Sequence, residues 1–299
     1  MNKNTEKNIL IAFILNLFFS IFEIIGGFLT NSVAILSDSI HDFGDATSIG
    51  ISWYLEKKSK KKPDKDYTYG YLRYSILGAF ITSLILTIGS IFVIIESVKR
   101  MFNPVEVNYD GMIIFAVIGL IVNFIASFVT REGKSLNQKS VNLHMLEDLL
   151  GWIVVLIGSV LIKITDIKYI DPIMSMLVAI FILINTLKNL KEINDLVMEK
   201  TPKNIGVDSI KDKLLKIENV LDVHHIHIWS LDGINNYATL HVVTNASNKL
   251  KIKNNIREEM EKNNIHHTTI EIEEEKEECE SEECKNEIEE HHLHHHHHH

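Results

Sequence analysis

The chain has 299 residues, 46% of them hydrophobic, and a formal net charge of −9. That length admits about two domains. The acidity is local: residues 271–290 hold twelve Glu and two Lys, so the remainder is near neutral and offers no basic footprint for nucleic acid.

Apolar residues concentrate before about residue 190, and the hydrophobic pattern predicts six membrane helices, at 9–29, 33–55, 73–99, 111–131, 141–163 and 171–190. The first, with 21 residues, reaches about 32 Å, enough for a ~30 Å hydrocarbon core. Glu23 and the lack of a small-x-small cleavage site argue against reading it as a signal peptide. Loop charge sets the expected orientation. Lys3 and Lys7 precede the first span, EKKSKKKPDKD (56–66) joins the second to the third, and Arg131, Lys134 and Lys139 lie between the fourth and fifth. TNS after the first span is uncharged. Both termini and the two basic loops are therefore expected in the cytoplasm of a multi-pass cell-membrane protein. Lys99 and Arg100 run against this rule and can snorkel.

The second span holds His41 and Asp45, and the fifth, within NLHMLEDLLGW, holds His144 and Asp148. Each pair is spaced four apart, so both side chains share a helix face. A charge at the bilayer centre costs roughly 2.5 kcal/mol or more. If the two faces meet, two imidazoles and two carboxylates form a tetrahedral set suited to Zn²⁺, and the bound cation offsets that cost. Asp38, Asp42 and Glu147 lie close by and are assigned structural or proton-path roles. Asn16, Glu23 and Asn123 read as buried polar packing groups.

Past Thr201-Pro202 the pattern changes to a helix at about 207–217, a strand VLDVHHIHIW, a turn LDGIN, a strand NYATLHVVT, a helix at 249–263 and a strand HTTIEIE. This αββαβ order predicts a small α+β domain with helices on one sheet face. Strand alternation puts His225, His227 and Trp229 on one face and His224, Ile226 and Ile228 on the other. The domains are expected at 1–200, 201–278 and, as an acidic tail, 279–299. The terminal HHLHHHHHH has the form of an expression tag. Cys279 and Cys284 in the tail suggest no disulfide framework, and their C-x₄-C spacing is a secondary candidate for metal.

SVAILSDSIHDFGDA, YTYGYLRYSILGAF, HMLEDLLGW and HHIHIWSLDG resemble the cation diffusion facilitator family, in its bacterial zinc, cadmium and cobalt efflux branch, over about 9–275. The resemblance implies a six-helix membrane domain, a cytoplasmic ferredoxin-like domain, a homodimer, and metal/proton antiport. It places the intramembrane ligands at His41, Asp45, His144 and Asp148, with His first as in zinc-selective members. It places cytoplasmic metal sites at His225, His241, Glu271 and Glu273, with His227 and His266 as lesser candidates. Where some relatives bind metal after the second span, this chain has Tyr67 and Tyr71, so no site is expected there. The loop REGKSLNQKSVN is short and lacks histidine, which removes a metal-gathering role seen in some zinc carriers.

The expected function is Zn²⁺ export in exchange for protons by alternating access, with Zn²⁺ as substrate and as a candidate regulatory ligand. No phosphate loop or nucleophile constellation suggests an enzyme, so the energy is expected from an ion gradient. Two alternatives stay open: the same fold carrying mainly Cd²⁺, Co²⁺ or Fe²⁺, and a membrane metal sensor that carries nothing. A pure sensor would not need the intramembrane quartet.

Overall fold

A computed structural model describes residues 4–30, 33–103, 109–132, 135–165, 170–275 and 277. Cys279 and Cys284 lie outside them. The chain divides near residue 198 into two compact units.

The first unit consists of long helices: α1 (Asn4–Thr30), α2 (Val33–Ser59), α3 (Arg73–Phe102), α4 (Tyr109–Thr130), α5 (Leu136–Thr165) and α6 (Ile170–Val197). Five of them cover their predicted spans and extend into the flanking residues, and α4 starts two residues earlier than predicted and ends one residue short, at Thr130. Thr5–Ile25, Arg73–Phe102 and Leu136–Gly158 are long and apolar enough to cross a membrane by length and composition. The α2 helix carries too many charged groups to qualify on that measure, and those groups are the ones of interest below. α1 packs on α2 and α4, α3 on α6, α2 and α5, and α4 on α5.

The distribution of side chains is inverted relative to a water-soluble bundle. Phe18, Phe92 and Ile114 are 69%, 67% and 65% exposed, while Ser20, Ser83, Ser90 and Thr186 are fully buried. Lipid is as apolar as Phe, so nothing drives those rings inward. Helices are held instead by close approach at small residues and by interhelical hydrogen bonds. One such knot joins α6, α3 and α5: Asn189 Nδ2 donates to Ser83 Oγ at 2.9 Å and to Ser140 Oγ at 2.7 Å.

The second unit holds α7 (Val207–Leu214), β1 (Val220–Ser230), β2 (Asn236–Thr244), α8 (Lys249–Lys262) and β3 (Ile265–Glu273). The sheet order is β1-β2-β3. β1 and β2 are antiparallel and β2 and β3 parallel, the latter requiring the α8 crossover. Ile210 and Leu214 of α7 and Ile256 and Met260 of α8 pack on Val223, Ile228, Leu240, Val242 and Ile270. The opposite sheet face carries His241 and Tyr237 from β2 and Glu271 and Glu273 from β3.

The predicted alternation fails within β1. His224 pairs with His241 but His227 pairs with Thr239, so one extra residue is accommodated between them. His225 takes φ +49°, the left-handed region. A bulge of this kind bends the strand and re-aims its side chains. His224 therefore does not share the core face with Ile228. It lies on the open face beside His241, and the ring of His225 also turns toward His241.

Candidate metal centre

Asp45 on α2 and His144 on α5 are both buried, and Asp148 stands one turn beyond His144. His144 Nε2 lies 3.7 Å from Asp45 Oδ2 and 3.9 Å from Asp148 Oδ2. One ligand atom from each of the three residues lies within 4.8 Å of the other two. Two ligands bound at about 2.0–2.1 Å to a tetrahedral zinc are about 3.3 Å apart. The trio thus needs only a small contraction to close on an ion.

Both ring nitrogens of His144 are buried without a hydrogen-bond partner among the described residues. A buried polar group in that condition calls for a ligand, proton or water. Asn16 of α1 adds an outer contact, donating from Nδ2 to Asp148 Oδ2 at 3.3 Å. Asn16 read from sequence as a packing group; its place beside Asp148 depends on how α1 and α5 pack, which no local motif reveals.

His41 lies on α2 one turn before Asp45, and its side chain is outside the described residues, as is that of Asp38. Asp42 and Glu147 are half-buried. Asn123 donates to the backbone of Gly119 at 3.1 Å, a local packing bond within its own helix.

On the open face of the second unit, a second trio gathers: His224, His241 and Glu273. Glu273 Oε1 is 2.6 Å from His241 Nδ1, and its Oε2 is 3.1 Å from His224 Nε2. His241 Nε2 meets Glu271 at 3.3 Å. Asp222 holds His224 Nδ1 at 3.0 Å. His225 stacks edge-on against His241, with ring centres 4.8 Å apart, and against His227 at 4.6 Å. Burial pushes the His225 pKa down, and the neighbouring His227, His241 and His224 push it the same way. The four residues expected from sequence are thus close together, but His225 meets the cluster through ring packing and His224 takes the ligand-like position. His266 is exposed on β3 and His267 packs on Tyr237, with ring centres 5.5 Å apart.

Residues 9–195 match the cation efflux transmembrane domain and residues 202–275 the cytoplasmic domain of cation efflux proteins. A cadmium, cobalt and zinc/H⁺-K⁺ antiporter of Bacillus subtilis is 33% identical over 276 residues, covering 90% of this chain and 89% of its own. A zinc transporter, ZitB, of Yersinia pseudotuberculosis is 36% identical over 242 residues, 80% of this chain and 77% of its own. The metal cation efflux system protein CzcD of Cupriavidus metallidurans is 30% identical over 273 residues, 90% of this chain and 86% of its own. Two family domains in sequence, a lipid-facing apolar exterior and a buried carboxylate–imidazole cluster agree: the chain is a membrane protein of the cation efflux, or cation diffusion facilitator, family, in its zinc, cadmium and cobalt branch.

Proposed function

We propose that the protein exports Zn²⁺ from the cytoplasm in exchange for protons. The observation that carries this is the convergence of Asp45, His144 and Asp148 around an imidazole with no hydrogen bond of its own among the described residues. His41, one turn from Asp45, supplies the fourth ligand. A metal binds only deprotonated His and carboxylate, so loading releases protons and protons on the far side expel the metal. The bundle alternates its access between the two sides, and α2 and α5 move together because each contributes half of the site. The names of the antiporter and zinc-transporter relatives support this cargo and coupling. Cadmium and cobalt are the competing cargoes, since nitrogen and oxygen donors alone do not select among these ions.

In this reading all six helices of residues 1–200 cross the cell membrane with both termini in the cytoplasm. Residues 201–278 form a ferredoxin-like (αββαβ) domain, and residues 279–299 are an acidic tail. Two copies associate through the cytoplasmic domain as a homodimer. Zinc at His224, His225, His241, Glu271 and Glu273 biases the transporter's state. The test is zinc flux by purified protein in liposomes under an imposed pH gradient. Flux in the wild type that vanishes in the Asp45→Ala/Asp148→Ala double variant supports the reading; flux that survives it overturns the site.

A further inference from the structure

Two buried carboxylates of the helical unit, Glu23 on α1 and Glu56 on α2, have no part in the trio, and Glu56 shares its helix with Asp45. Glu56 lies near the C-terminal end of α2 and is 5% exposed. Asp45, Ser48, Ser52, Glu56 and Ser59 follow one another at spacings of three and four residues along α2, and all five are buried. They form a single polar stripe from the candidate metal centre to the end of the helix. About 16 Å of helix separates Glu56 from Asp45.

The basic residues beside Glu56 are engaged elsewhere. Lys57 lies over Trp53, Lys58 over Tyr74, and Lys60 pairs with Glu6 at 3.0 Å. The partners of Glu56 among the described residues are neutral: Ser75 Oγ of α3 donates at 2.6 Å and Asn137 Nδ2 of α5 at 3.2 Å. Asn137 Nδ2 also donates to the Ser52 carbonyl at 3.0 Å, and Ser52 Oγ donates to Asn137 Oδ1. Gly78 leaves room for this amide, since a Cβ there would stand 2.7 Å from Asn137 Oδ1. Helix packing alone is served by Ser and Asn, as at Ser83, Ser140 and Asn189. A carboxylate in the same role carries a large cost in desolvation unless a cation visits it.

We propose that Glu56, Ser52, Ser75 and Asn137 form a weak, oxygen-only subsite for the divalent cargo on its way along α2 to Asp45, His144 and Asp148. The donor chemistry suits a transient stop. Borderline-soft zinc favours the imidazole-containing site ahead over hard oxygen donors. Passage requires binding that attracts the ion without retaining it.

This inference rests on the transport reading above, and the experiment separates the two. In liposomes, Glu56→Gln keeps acceptors for Ser75 and Asn137 but removes the charge. We expect the KM for zinc to rise about tenfold while kcat stays within about twofold. Zinc affinity in detergent at Asp45, His144 and Asp148 stays at the wild-type value. Glu56→Asp retains the charge and keeps KM within about threefold of wild type. An unchanged KM in Glu56→Gln, a fall in kcat alone, the same rise in both variants, or a Glu56→Gln protein that does not fold overturns the subsite. A wild type that moves no zinc overturns the transport reading instead.

Discussion

The imidazole of His144 approaches Asp45 across the α5–α2 boundary more closely than it approaches Asp148 one turn along its own helix, at 3.7 Å against 3.9 Å. Neither distance is a hydrogen bond. The three groups are therefore positioned by helix packing and not by hydrogen bonds to one another. Asp45→Asn preserves shape and removes one charge. We expect it to abolish high-affinity zinc binding by calorimetry while leaving the circular dichroism unchanged, since a metal ligand is lost and the side-chain volume is kept. Wild-type zinc affinity in Asp45→Asn would remove Asp45 from the ligand set.

Asn16 tests the outer contact. Its amide fixes one Asp148 oxygen from a helix remote in sequence. Groups that orient metal ligands typically contribute 10–100-fold in affinity, so Asn16→Ala should weaken zinc binding by at least about tenfold. Circular dichroism should remain unchanged. Wild-type affinity in Asn16→Ala would reduce Asn16 to a packing residue.

In the second unit, His224 and His225 make opposing predictions. His224 has Nδ1 hydrogen-bonded to Asp222 and Nε2 3.1 Å from Glu273 Oε2, whereas His225 stacks on other rings. In full-length protein carrying Asp45→Asn and Asp148→Asn, zinc that still binds reports this face. His224→Ala should remove that binding, and His225→Ala should weaken it less. Equal losses would make His225 a ligand on the same footing.

The depressed pKa of His225 gives a pH dependence of known sign. The unfolded chain protonates this ring near the ordinary value of 6.5, and the folded unit resists protonation until lower pH. The unfolded state therefore binds more protons in that window, and stability falls as pH drops below 6.5. We expect His225→Gln to flatten this part of the unfolding profile between pH 7 and 5.5. An unaltered slope would assign the effect to other groups.

What could be read in the sequence, and what could not, follows from the range of each interaction. The four-residue spacings of His41/Asp45 and His144/Asp148 were legible because i,i+4 spacing is a property of one helix, and of these four the described side chains brought together are Asp45, His144 and Asp148. The two strands that bring His241 opposite Glu271 were visible from period-two alternation, and their register pairs those residues directly. The bulge at His225 was not, because it depends on how β1 accommodates β2 and leaves no composition signal. Asn16 and Glu56 carry meaning only through contacts with Asp148 and Asn137, far along the chain. Glu56 was also masked by its neighbours, since in EKKSKKKPDKD it reads as one more charge in a solvated loop.

The α4–α5 contact provides a test of packing next to the metal centre. A Cβ at Gly119 of α4 would stand 2.5 Å from Cε2 of Trp152 on α5. Trp152 is a rigid ring, edge-on to Phe19 with centres 5.5 Å apart, and cannot yield as the end of a long flexible side chain does. Gly119→Ala should therefore cost about 1–3 kcal/mol and lower the Tm in detergent. Trp152 sits one turn beyond Asp148, so a displaced α5 also moves that carboxylate, and zinc affinity should fall together with Tm. Adding Trp152→Leu removes the clash. The double variant should then recover part of the Tm lost by Gly119→Ala, because residues in contact couple non-additively. Strict additivity of the two substitutions would show that α4 and α5 do not meet at this point, and with it that the helix pair holding His144 and Asp148 is packed differently.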